Sequence, residues 1–174
     1  MENKEDLKKY FDSKEYVTKI IGSEEESNEL PEIEPSAQKD SKIDTLISLL
    51  TDPQNKDVKE ETLLTLKKDK GEEVLLKAIA TQKAKDKQHL LVAACWESEI
   101  NFSKYLPFFV LLALSPDYLV SLEAITTIEN MEGPFEPDAV KNAILKIKAE
   151  QKKITDEKAV LLNDLVMTLE NYLA

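Results

Sequence analysis

The only histidine, cysteine and tryptophan of the chain, His89, Cys95 and Trp96, fall within one stretch, DKQHLLVAACWESEINFSKYLPFFV, residues 86 to 110. A thiol nucleophile needs a base within reach, and His89 is the single imidazole that could serve one. If the stretch is helical, six positions place the two about 9 Å apart along the axis and roughly 120° apart around it, so they cannot form a dyad on that helix. Activation of the thiol by a lysine would need a three-dimensional coincidence that the sequence does not display. One cysteine and one histidine at this spacing match no short chelating motif. The EEE run at 24 to 26 lacks the alternating oxygen ligands and central glycine of a calcium loop. Neither GxGxxG nor a P-loop occurs in a chain with three glycines. Carboxylate pairs abound among 34 acidic residues, so spacing alone marks none of them as a general acid. The expectation is a chain with no catalytic residue, no cofactor and no metal.

The same stretch reads more simply as core. Aligned with the later segment around residues 118 to 129, Trp96 stands opposite Ile125 at an offset of 29 or Ile128 at an offset of 32. Both place it on an apolar face. The same offsets set Cys95 opposite Ala124 or Thr127, also a structural position whose exposure they leave open, and His89 opposite Tyr118 or Ser121, near a helix start.

The elements that would position these residues are helices. After Ser41 the chain is a succession of apolar-periodic segments with short breaks and almost no strand signal. Eight helices are expected. Ser41 can cap the first, which runs through Leu50, and Asp52-Pro53 opens the second, which ends at KKDKG. The third spans about Glu72 to Thr81, the fourth Lys85 to Ser98 and the fifth Ser103 to Leu114. The sixth begins at Ser115-Pro116-Asp117 and stops at Gly133-Pro134. The seventh starts near Pro137, and Thr155 can cap the eighth, with its stripe of Val160, Leu161, Leu165, Val166 and Leu169. The odd helices start about 30, 31 and 34 residues apart, which is the signature of a repeat. Gly71 and Gly133 fall between helix pairs, where a left-handed C-cap is useful, and Asn101 stands at the remaining boundary.

Composition bounds the function. The 174 residues carry a formal charge of -11, and all 23 basic residues are lysine. The charge repels nucleic acid and anionic membrane on average, and the planar arginine fork that reads phosphate or guanine is missing. No apolar run approaches transmembrane length and one cysteine cannot form an internal disulfide, so a cytoplasmic protein is expected. Residues 1 to 41 form a separate N-terminal extension. Leu7, Tyr10, Phe11, Val17, Ile20 and Ile21 make two small apolar clusters at helical spacing. They are followed by GSEEESNELPEIEPSAQKDS (22 to 41), an acidic linker with seven carboxylates and one lysine. The apolar clusters are expected to cap the end of the helical array, with docking into another protein's groove as the alternative.

The segments LISLLTDPQNKDVKEETLLTL (46 to 66) and LPFFVLLALSPDYLVSLEAITTI (106 to 128) resemble HEAT or armadillo-like repeats. Each has an apolar first helix, a turn with Asp and Pro, and a second helix on which apolar residues recur. The resemblance covers residues 42 to 174, about four pairs, and is nearest to small bacterial HEAT-like proteins of unassigned activity. The arginine often found early in the second helix of such repeats is absent. The resemblance implies an all-α fold, an α-α superhelix or HEAT-like solenoid, whose second helices line a concave binding face. On those helices stand Glu60, Glu61, Glu97, Glu99, Glu123, Glu129 and Asn130, an acidic ridge suited to a basic protein partner. The expected function is therefore a non-enzymatic protein-binding or scaffold module, a monomer or weak homo-oligomer, without nucleic acid or membrane as partner. Two other readings stand beside it. One is an enzyme or small-ligand binder with a groove near Tyr105 and Trp96. The other is nucleic-acid binding through lysine clusters at 83 to 87 and 152 to 153.

Overall fold

The computed structural model describes residues 37–81, 86–154 and 157–173, with the side chains of 37–42 and 57 outside the description. The expected apolar clusters at Leu7 to Ile21, most of the acidic linker and the Thr155 cap lie outside the described residues. Within them all regular structure is helical: α1 (Ala37–Thr51), α2 (Lys56–Lys68), α3 (Glu72–Ala80), α4 (Gln88–Glu97), α5 (Leu106–Ala113), α6 (Tyr118–Glu129), α7 (Pro137–Gln151) and α8 (Glu157–Asn171). Two single 3-10 turns, Pro53–Asn55 and Ser103–Tyr105, lead into α2 and α5.

Local chemistry explains most of the boundaries. The Asp52 carboxylate accepts the Gln54 amide at 2.9 Å ahead of Pro53, and Asp117 accepts the Val120 amide at 3.1 Å to start α6. Ser41, in contrast, lies inside α1 rather than at its cap, because the helix begins at Ala37. The left-handed positions also fall on other residues than the glycines suggest. Lys70 and Glu99 both have φ 53°, whereas Gly71 has φ -76°. Lys70 is the turning residue of a Schellman closure in which the Gly71 amide donates to the Leu66 carbonyl at 2.8 Å. Gly71 is required for a different reason, since a Cβ there would meet Leu66 Cδ2 at 2.5 Å. Of the described glycines, Gly133, at φ 70°, takes the expected left-handed conformation, and it precedes a cis peptide to Pro134.

Consecutive helices pack as hairpins, α1 with α2, α3 with α4, α5 with α6 and α7 with α8. Among the even helices α4 packs on α6 and α6 on α8, which makes α4, α6 and α8 one even column. The odd helices pack in two pairs, α1 on α3 and α5 on α7, and α1 also rests on α4. Ionic links complete the joins: Lys59–Glu97 at 2.6 Å and Lys67–Glu99 at 2.5 Å draw α2 to the end of α4, and Lys104–Glu72 at 3.4 Å ties the approach to α5 to α3. At the centre lies α5, buried at seven of its eight positions. Phe109 meets Phe102 and Phe108 edge-on at centroid distances of 5.4 and 5.3 Å.

Buried and half-buried polar side chains bond to carbonyls at or just beyond the ends of helices. Ser121 donates to Ala113 at 2.5 Å, the buried Lys158 ammonium donates to Ser115, and Tyr172 donates to Ile128 at 3.1 Å. Asn101 donates to the Gly133 carbonyl at 2.7 Å, so the breaks between neighbouring pairs are fastened to each other.

Candidate binding face

The three unique side chains of the opening stretch occupy α4 in three environments. Cys95 is fully buried, and burial pushes its thiol far above the usual range, so it is held as an inert apolar group. His89 is half-buried in the first turn of α4, near the helix start as expected. Trp96, expected in the core, is instead 37% exposed. The reason is register. The observed starts of α4 and α6 differ by 30 residues, neither 29 nor 32. This offset sets buried Leu91, Ala94, Cys95 and Ser98 against buried Ser121, Ala124, Ile125 and Ile128, and moves Trp96 to the flank opposite Thr126. There its indole Nε1 donates to Glu123 Oε2 at 2.9 Å across to α6.

The expected acidic ridge is divided by the fold. Glu60 and Glu61 are exposed on α2, but that helix carries four lysines against three carboxylates. Glu97 and Glu99 are engaged internally by Lys59 and Lys67. The Lys67 ammonium holds the Glu99 carboxyl below its ordinary value, through their hydrogen bond and charge. Glu97 Oε2 is buried near Lys59 without an aligned hydrogen bond, so that contact is coulombic rather than directional. Asn130 donates to the Thr126 carbonyl at 2.8 Å and closes the end of α6. What remains acidic lies along α6 and α8. Glu123 holds the indole, and Glu129 stands near Asp164 of α8, its carboxyl raised by burial and then by the Asp164 charge. The sequence reading missed Asp164, although it falls on the solvent side of the α8 stripe. It also missed Lys59 and Lys67, whose spacing of eight places them on one side of α2.

Tyr105 lies outside the even column that carries Trp96. Tyr105 is buried at the entry to α5 beside Phe102, its centroid 6.2 Å from that ring and 4.9 Å from the Lys104 ammonium. Its hydroxyl and the Glu72 Oε2 are buried without an aligned hydrogen bond, and the Lys104 ammonium acts on both groups through its charge. Burial is the main cause that raises the Tyr105 phenol. Among the described residues no group of three or more His, Cys, Asp or Glu side chains is arranged to hold a metal ion, and no helix is long and apolar enough to cross a membrane. Lysines 83 and 85 lie outside the described residues; of the other cluster, Lys152 is exposed and Lys153 pairs with Glu150 at 3.0 Å. Comparison with known protein families, curated proteins and solved structures finds no match to this chain.

Proposed function

We propose that the chain is a non-enzymatic protein-binding module, a HEAT-like α-α superhelix of four helical pairs whose even helices present a face to a basic partner. The observation that carries the reading is Trp96. It is a large aromatic side chain on the even column, 37% exposed, with its one polar group already bonded to Glu123. A lysine or arginine side chain laid on such a ring gains a cation–π interaction, and carboxylates at the rim strengthen it. Glu123, Glu129 and Asp164 make the α6–α8 part of the column the acidic part, so the binding face is narrower than the ridge expected from sequence and excludes α2. The single cysteine, buried and unpaired, fits a cytoplasmic setting.

Because Trp96 is the only tryptophan, its emission reports on this face alone. Titration with a lysine- and arginine-rich peptide should shift or quench that emission, with an affinity that falls as salt rises and is lost in Glu123→Lys. An equal response to a glutamate-rich peptide, or no response to either, would overturn the reading.

A further inference from the structure

We propose that α2 is an ionic latch on the Trp96 end of α4: Lys59 and Lys67 occupy the carboxylates of Glu97 and Glu99 in place of a basic partner, and the partner binds by displacing them. The inference rests on the reading of Trp96 as the contact for such a partner, and adds how access to that contact is controlled. α2 is held unlike the other even helices. α4 packs on α6 and α6 on α8, whereas α2 packs on α1 and is joined to α4 by ion pairs. Of its described side chains only Leu63 and Leu66 are buried. Lys59 and Lys67 stand about 40° to either side of Leu63 around the helix, one turn before it and one after. The side of α2 turned to α4 therefore carries ammonium groups where α4 and α6 share an apolar seam. They reach Glu97 at 2.6 Å and Glu99 at 2.5 Å. Such ties at the surface are individually weak, because water solvates both partners once they part and salt screens them. A helix with two buried leucines and two ties of this kind belongs to the low-stability end of the fold, from which moving parts are drawn.

The carboxylates that α2 holds are the ones beside Trp96. Glu97 follows Trp96 in α4, and the Glu99 amide donates to the Trp96 carbonyl at 3.2 Å. A basic segment with one cation on the indole ring therefore finds the next carboxylates along α4 already taken. Lys59 is an imperfect holder of the first. Glu97 Oε2 is buried and close to the Lys59 ammonium, yet it has no aligned hydrogen bond. An arginine fork or a lysine arriving from solvent can supply the directed, charge-assisted bond that Lys59 does not. The exchange conserves charge pairing: two internal lysine pairs give way to two pairs with the partner, and the released ammonium groups return to water. Glu97 and Glu99 then join Glu123 around the ring.

The test is titration of the full chain with the lysine- and arginine-rich peptide, followed by Trp96 emission, in three forms: the parent, Lys59→Gln with Lys67→Gln, and Lys56→Gln with Lys68→Gln. Lys56 and Lys68 are exposed on α2 and stand outside the two ion pairs, so the last form makes the same change of net charge and leaves the latch intact. The latch variant should bind the peptide about tenfold more tightly than the parent, and the control should stay within about twofold of it. Amide hydrogen exchange across residues 56 to 68 of the parent should become faster when the peptide is bound, since α2 loses both ties. A latch variant that binds no more tightly than the parent, a gain shared equally by the control, or exchange across α2 that is unchanged or slower in the complex would each overturn the latch and leave the basic-partner reading in place. Absence of binding in all three forms would overturn both.

Discussion

Trp96 and Glu123, 27 positions apart, are joined across α4 and α6 by a 2.9 Å hydrogen bond from the indole to a carboxylate. The bond holds an exposed aromatic ring in one orientation, which lowers the rotamer entropy that a partner would have to remove on binding. Glu123→Ala should release the ring toward water. The expected result is a red shift of tryptophan emission with less than about 1 kcal/mol lost from folding stability, since the pair lies at the surface. An unchanged spectrum would mean that packing rather than Glu123 orients the indole.

The turn from α2 to α3 places two opposite demands on adjacent residues. Lys70 takes the left-handed conformation that suits glycine, while Gly71 does not take it and is needed for lack of space. Lys70→Gly should stabilise the fold by about 1 kcal/mol by relieving backbone strain. Gly71→Ala should destabilise it by roughly 1–3 kcal/mol, because Leu66 must move from its place in the core. Chemical denaturation of the two variants measures both, and equal signs would contradict the assignment.

This turn also shows how far sequence alone reaches. Periodic apolar residues and the caps at Asp52 and Asp117 are local, and they locate eight helices whose boundaries mostly fall within a few residues of those observed. Glycine at a boundary signals a turn, but whether it supplies a positive φ or an empty space depends on Leu66, a neighbour known only after folding. Trp96 was misjudged for a related reason. One residue of register between two helices separates a core position from a flank, and apolar residues recur too often in α6 to fix that register. The division of the acidic ridge was hidden because Glu97 and Glu99 meet Lys59 and Lys67 some 38 and 32 positions away in sequence. The all-helical class was legible, whereas the pairing of surface charges was not.

The Tyr105 hydroxyl is buried without an aligned hydrogen bond, and the Lys104 ammonium beside it offsets only part of its desolvation. Tyr105→Phe should leave stability unchanged or raise it by up to about 1 kcal/mol. Phe102→Ala, which removes the neighbouring ring from the same aromatic cluster, should cost about 3–5 kcal/mol. Thermal unfolding of the two variants separates a structural tyrosine from one that the fold retains for chemistry. A marked loss of stability in Tyr105→Phe would show that the hydroxyl holds a partner such as a bound water.

Glu129 supplies the pH dependence of the even column. Burial, and after it the charge of Asp164, raises its carboxyl above the ordinary value of 4.5, so the folded chain binds this proton more tightly than the unfolded chain does. Stability from this group therefore falls as pH rises through the two pKa values. The unfavourable contribution is complete above the folded pKa and absent below the unfolded one. Glu129→Gln should stabilise the protein at pH 7 by about 0.5 kcal/mol, a small figure because much of the group remains in water. The gain should vanish near pH 3, where the carboxyl is neutral in both states. Asp164→Asn should act with the same sign, since it removes one of the two causes. Denaturant midpoints of the parent and both variants at pH 3 and pH 7 measure this. A Glu129→Gln variant less stable than the parent at pH 7 would mean that the carboxylate has a favourable partner in the fold, and that the acidic part of the face is internally compensated rather than held ready for a basic ligand.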